Sequence, residues 1–441
     1  MNILKNVTFI LSGLVLAANS FAASYTVTQI TNNTYSDEYT KINAQGDVIW
    51  TAWVNATDTG WTVFKYDAAT QATTQLSASN VFFDSHRINN RGDVVWMGND
   101  GTDQEIFLYQ AATKTVKQLT NDALDDTDAQ ISDNGDVSWF EQRGVDVGAF
   151  LYRYDAKTQK VAGVNFPGAA RQGYQTMNAR GDIAWNAEVT TVQIQRGQPV
   201  PVTNSQDILL FDAATGRVRN VTNSYSVIES NQHVLDNGDV VWEAYDELTF
   251  ADSLKVYHAD TGRVARIASD VSGGYRVGSM GHAVWSAAVT VGANTLHTLS
   301  LYNPVTRAVT VISRENSSWG PFIDGVSARG DVAWRSIVGT NWYSRLYNAV
   351  TRTNLDLLVS QNSPYELKLA DNGDAAWSMW NGANYEVYTY QVATGDTTQL
   401  TNNTVDDGVI SMNSSGSLVF NRWYPNNSEV VIAVKKPRNQ R

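Results

Sequence analysis

Hydrophobic residues in this chain come in short bursts, with no helical stripe between them. One burst recurs nine times: an apolar residue, three polar or small residues, a Gly, usually an Asp, then an apolar run closed by an aromatic ring. Residues 42–50 (INAQGDVIW), 88–96 (INNRGDVVW) and 234–242 (VLDNGDVVW) are typical copies. The closing rings are Trp50, Trp96, Trp139, Trp185, Trp242, Trp285, Trp334, Trp377 and Phe420, spaced by 46, 43, 46, 57, 43, 49, 43 and 43 residues. A period of about 40–45 residues is that of a four-stranded propeller blade. After each of the first eight copies comes a second aromatic, from Tyr66 to Tyr390, with a Thr four residues later (Thr70 to Thr394).

Each repeat thus predicts four short strands, A to D. Strand A carries the first apolar residue, and the Gly supplies the positive φ of an A–B hairpin turn. In strand B both side-chain parities are apolar (Val94, Val95, Trp96), the pattern of a strand covered on both faces. Strand C carries the second aromatic and strand D a closing Leu-Thr. The ninth repeat lacks strand D, and residues 25–31 (YTVTQIT) match that strand. The expectation is an all-β, single nine-bladed propeller over residues 23–441, with the N-terminal strand pairing antiparallel to residues 429–434 to close the last blade.

Composition narrows the rest. A 43 % hydrophobic content supports a buried core, and the net charge of −12 argues against a nucleic-acid partner. No cysteine is present, which excludes disulfides, thiolate metal sites and a cysteine nucleophile. Residues 1–22 read as a signal peptide: Lys5, an apolar stretch, then Ser20-Phe21-Ala22 before the cut. A periplasmic or secreted product with no membrane span after cleavage follows as an expectation.

The repeats resemble the TolB-like, or WD40-like, propeller repeats of exported bacterial proteins. Residues 119–139 (LTNDALDDTDAQISDNGDVSW) and 101–113 (GTDQEIFLYQAAT) carry the likeness most fully. It spans nearly the whole mature chain and implies a fold, not a chemistry. TolB has an extra N-terminal domain and six blades, so its envelope role is not implied.

The repeats act as their own control. Features shared by all blades, such as the strand-B Trp and the Asp after each turn Gly, read as packing and turn bonding. The D–A and B–C loops vary, so their end of the propeller is the expected working face. Three loop tryptophans, Trp53, Trp380 and Trp423, share an offset seven residues past the turn Gly, in blades that become adjacent when the ring closes. Most other blades have no ring there (Asn99, Glu188, Ala288, Ile337). Asp37, Glu38, Asp406 and Asp407 flank them in sequence. Rings beside carboxylates suit a glycan, whose apolar faces stack and whose hydroxyls hydrogen-bond. The expected role is a non-catalytic binding module for a glycan or an envelope or extracellular protein. The alternative is a propeller-type polysaccharide lyase, with His233, Tyr245 and Arg276 as positional candidates. No cofactor is expected. Calcium is the one ion that the acidic loops, including Asp125, Asp126 and Asp128, would suit. Residues 187–207 form an insertion in blade 4, read as a long hairpin on the B–C side.

Overall fold

A computed structural model describes residues 25–436, apart from 55–59, 79, 145–146, 196–197, 204–205, 225, 272, 292–293, 318 and 366. The proposed signal peptide lies outside the described residues. Strands and turns make up the described chain, without a helix. Nine antiparallel sheets follow one another as propeller blades. Blade 1 shows the plan: strand A Asp37–Ile42, B Val48–Ala52, C Thr62–Asp67 and D Ala72–Gln75, paired in that order.

The last blade closes as expected. Tyr25–Gln29 pairs antiparallel with Ser428–Lys435, from Tyr25↔Lys435 to Gln29↔Val431. Blade 4 departs from the plan, and the insertion is the reason. Its strand B, Ile183–Gln195, runs past the blade and folds back on Gln198–Thr203, with Thr190↔Thr203 and Gln195↔Gln198 as the outer rungs.

The core lies between blades. The eight strand-B tryptophans are at most 5 % exposed. Each rests on the preceding blade: Trp50 on Val419, Val430 and Ile432, and Trp185 on Phe140 and Leu151. At the turn end one device repeats. The Asp after the turn Gly accepts the first backbone N–H of its blade's C–D turn, at 2.8–3.1 Å, in all seven blades that have the Asp. The C–D turn holds itself through the backbone N–H of the Thr, which donates to the side chain three residues earlier, as Thr70 does to Asp67, Thr158 to Asp155 and Thr351 to Asn348. Turn asparagines then link neighbouring blades. Asn43 Nδ2 donates to Asn89 O, and Asn413 Nδ2 donates back to Asn43 O at 3.0 Å, carrying the belt across the point of closure.

Candidate functional site on the loop face

Aromatic residues are costly to leave in water, so their distribution over the two ends is informative. Eleven aromatic side chains are exposed among the described residues: Tyr39, Trp53, Phe83, Tyr174, Phe250, Trp319, Phe322, Tyr365, Trp380, Trp423 and Tyr424. Every one lies in or beside a D–A or B–C loop. The exposed large apolar residues of the A–B and C–D turns are aliphatic, such as Met280, Val305 and Val350.

Trp53, Trp380 and Trp423 all stand at the ends of strand B, about two-fifths exposed. They belong to separate surroundings. Trp53 meets Trp61 edge-on at 5.6 Å, and Tyr39 bridges Trp61 to Phe83. Trp380 packs on Tyr385, which packs on Tyr365. Trp423 lies on the backbone of Gly408, where a Cβ would run into the ring. None of the ring contacts joins the three tryptophans to one another, so these rings fall into separate clusters on the face.

The flanking acids divide in two. Asp37 and Asp407 are fully buried. Asp37 accepts Trp50 Nε1 at 2.8 Å and Asn33 Nδ2 at 2.9 Å. Burial, offset in part by these bonds and reinforced by nearby Glu429, pushes its carboxyl up to about 6. Asp407 takes Asn403 Nδ2 and is clamped by Arg422 at 2.8 and 3.1 Å. These two carboxylates face the protein, and a ligand on the surface would not reach them. Glu38 and Asp406 are half-buried, and Asp406 accepts the N–H of Tyr385 at 2.8 Å.

The repeat register explains why. Asp37, Asp126 and Asp407 are equivalent positions in blades 1, 3 and 9, five residues before the closing apolar residue of strand A. Each belongs to a D–A corner with a strand-C Glu of the preceding blade and a strand-D Thr. At the blade 9–1 corner Thr31 Oγ1 donates to Glu429 at 2.6 Å, and the Asn33 N–H does so at 2.8 Å. Lining up the D–A loops as well as the A–B turns would have exposed this in the sequence.

Sequence reasoning named His233 and Arg276 but missed the strand-A register that they share with three basic residues. The residue before the closing apolar one is Lys41 in blade 1, Arg87 in blade 2, His233 in blade 5, Arg276 in blade 6 and Lys368 in blade 8. Lys41 bonds Asp84 at 2.5 Å and the carbonyl of His86 at 2.9 Å. Burial and the repulsion of Arg87 lower its ammonium to about 8. Of the three lyase candidates, His233 and Arg276 come together. Burial first, then the charge of Arg276, pulls the imidazole below its ordinary value, and its ring stands edge-on to Tyr275 at 5.9 Å. Tyr245 lies away from them, pairing with Ile228 near the far end of strand B while His233 pairs with Val241. On the loop face between blades 6 and 7 a cleft of about 480 Å³ is bordered by Arg276, Trp319, Phe322 and the Asp324–Arg335 ion pair.

Of the acids before blade 3, Asp125 caps the N–H of Gln104 at 3.1 Å and Asp128 accepts Gln130 Nε2 at 2.9 Å, while Asp126 is buried. Among the described residues one group of acids has the spacing of a metal site: Asp100, Asp103 and Glu105, whose ligand atoms lie within 4.8 Å of one another.

Comparison with solved structures gives likeness at the level of the fold. Dipeptidyl peptidase 4 from Porphyromonas gingivalis matches 90 % of this chain at 11 % identity, with a TM-score of 0.55. The chain spans 65 % of that peptidase's length. Oligogalacturonate lyase from Vibrio parahaemolyticus matches 94 % of this chain and 99 % of its own at 12 % identity and a TM-score of 0.42. TolB from Acinetobacter baumannii matches 70 % and 80 %, at 12 % identity and a TM-score of 0.30. No family model and no curated protein matches the sequence. The chain is a nine-bladed β-propeller, and its neighbours are propeller proteins of different activities.

Proposed function

We propose that this propeller is an exported binding module that holds an extended glycan across its D–A/B–C loop face. The observation that supports it is the placement of all eleven exposed rings at one end. Packing alone would distribute such rings by repeat, with equivalent residues in most blades, as it does for the strand-B tryptophans. Apolar sugar faces stack on exposed rings, and several separated clusters suit a ligand that extends over more than one blade. Half-buried Asp406 and Glu38, and the Arg276 side of the blade 6–7 cleft, supply polar partners beside the rings. The buried Asp37 and Asp407 hold loops in place and take no part in contact.

Export rests on the character of residues 1–22, and N-terminal sequencing of the protein from culture fluid and periplasm would find Ala23 first. The binding test is titration of the purified protein with a panel of neutral and acidic polysaccharides. Binding without release of unsaturated, ultraviolet-absorbing products supports the module. Turnover lost in His233→Ala would favour the lyase, and no binding by any member of the panel would remove the glycan reading.

A further inference from the structure

The cleft between blades 6 and 7 lies between two short stretches of chain on the loop face. One wall runs through Gly273 and Gly274 into strand A of blade 6, Tyr275–Val277, and includes Arg276. The other is the D–A loop Trp319-Gly320-Pro321, which enters strand A of blade 7, Phe322–Val326. Packing behind the walls requires a glycine in each. A Cβ on Gly273 would stand 2.6 Å from Ser286 Oγ, and one on Gly320 would stand 3.2 Å from His297 Nδ1. Both walls are therefore bare at those points, and the volume of about 480 Å³ is within the range of small-ligand sites.

A ring and a cation border this space. Trp319 is the most exposed tryptophan of the described residues, and Ser317 Oγ donates to its backbone carbonyl at 2.6 Å, which fixes the loop that carries it. Phe322 packs on Trp342 at 5.7 Å. The cation is Arg276. Six arginines stand on strands A, B and C of the described residues, and five of them pair with an acid at 2.6–3.9 Å, among them Arg335 with Asp324 and Arg422 with Asp407. Arg276 is the sixth. It is exposed, and among the described residues its guanidinium has one hydrogen bond, to the carbonyl of its neighbour Tyr275 at 3.1 Å, and no acid partner. The acids around it are engaged. Asp324 holds Arg335, and Glu243, whose charge reaches Tyr275, accepts Asn231 Nδ2 at 3.0 Å. In a chain of net charge −12, a guanidinium without a counter-ion beside an exposed indole is an exception that neither packing nor the repeat explains.

We propose that the blade 6–7 cleft seats an anionic sugar residue, its apolar face on Trp319 and its carboxylate or sulfate on Arg276. This rests on the glycan reading of the loop face and names the class of glycan. The planar fork of a guanidinium matches two oxygens of either anion at once, and such charge-assisted pairs are roughly twice as strong as neutral ones. The indole takes the C–H face of the same ring. Arg335 is already held by Asp324, so the cleft carries two guanidiniums against one carboxylate, a local positive charge on an acidic protein.

The test titrates the full mature chain with four oligosaccharides: an alginate oligomer, the same oligomer as its methyl ester, a dextran sulfate oligomer and the matching dextran. At least one charged form should bind about tenfold or more tighter than its uncharged twin, the gain expected of a charge-assisted contact. A preference within the alginate pair identifies the anion as carboxylate, and one within the dextran pair as sulfate. In Arg276→Gln the charged and uncharged forms should bind alike, with the wild-type melting temperature showing that the fold is intact. Trp319→Ala should weaken both members of the preferred pair by a similar factor, because the ring meets the sugar and not its charge. Equal affinity of the wild type within both pairs, or a charge preference that survives in Arg276→Gln, would overturn the proposal and leave a neutral-glycan reading of the face standing. Absence of binding to all four would remove both together.

Discussion

The two ends of this propeller are made by the same nine repeats and have diverged in opposite senses. At the turn end a single arrangement is copied from blade to blade. Asp after the turn Gly holds the C–D turn in every blade that has it, and in three of them an Arg two residues earlier pairs with it: Arg91–Asp93, Arg180–Asp182 and Arg329–Asp331. At the loop end the same chain positions carry Trp, Tyr, Asn, Glu or Ala, and all the exposed rings among the described residues gather there. An interaction that every blade needs is selected in every blade, whereas a ligand touches only some of them. Where a residue recurs around the ring it is explained by packing, and where it does not, a different cause has to be sought.

The largest expected effect comes from breaking the ring that both ends share. Removing residues 23–32 strips the outer strand from blade 9 together with Thr31, whose hydroxyl holds Glu429. Stability should fall by several kcal/mol through lost pairing, lost burial and an exposed strand edge. An unchanged thermal melt would mean the closure is dispensable. Next comes a matched pair of tryptophans. Trp242→Ala, with its ring 0 % exposed between blades, should cost about 3–5 kcal/mol. Trp423→Ala, 36 % exposed, should cost less than half of that in denaturant titration, while weakening glycan binding by about 1–3 kcal/mol. Equal stability losses for the two would erase the distinction between the ends.

A smaller effect is expected from the turn end alone. Asp331 is fully buried, accepts Ala349 N–H and Ser327 Oγ, and pairs with Arg329. Asp331→Ala leaves those donors unmet and should cost about 1–3 kcal/mol in a urea melt. Glycan affinity should be untouched, since the change lies at the opposite end. A parallel drop in affinity would show that the two ends are coupled.

How much of this the sequence carried follows the same line. The nine blades, their closure and the core role of the strand-B Trp were legible because each rests on a periodic signal, read nine times over. The long hairpin of blade 4 was legible as a break in that period, and Gln198–Thr203 pairs with strand B as the spacing implied. The acids misled because their period was overlooked. Asp37 and Asp407 looked unmatched beside loop tryptophans, yet with Asp126 they form a second repeat feature, present only where the D–A loop keeps the Thr-Asn pattern. The Lys41–Arg87 set escaped for another reason: its members sit at one register position but change chemical type from blade to blade, so no motif marks them. Whether Trp53, Trp380 and Trp423 would touch was a matter of blade spacing, which an offset along the chain does not encode.

Asp37 supplies the last and smallest test, because it is a loop-end residue performing turn-end work. Its carboxyl, raised to about 6 in the folded protein chiefly by burial, has an ordinary value of 3.8 when the chain unfolds. Between those values the folded state binds the extra proton, so the contribution of Asp37 is fully present below about pH 4 and is lost as pH rises through about 6. Asn at this position cannot titrate. Trp50 Nε1 would still find an acceptor, and one bond with Asn33 would be lost. The stability of wild type minus that of Asp37→Asn should therefore be greatest near pH 4, decline toward pH 6.5 and stay level above it. Urea melts of both proteins at half-unit steps measure this difference while cancelling the other titrating groups, including neutral, buried His86, whose own burial removes stability as pH falls below 6.5. A flat difference would place the Asp37 carboxylate in water, where it would again be free to meet a ligand.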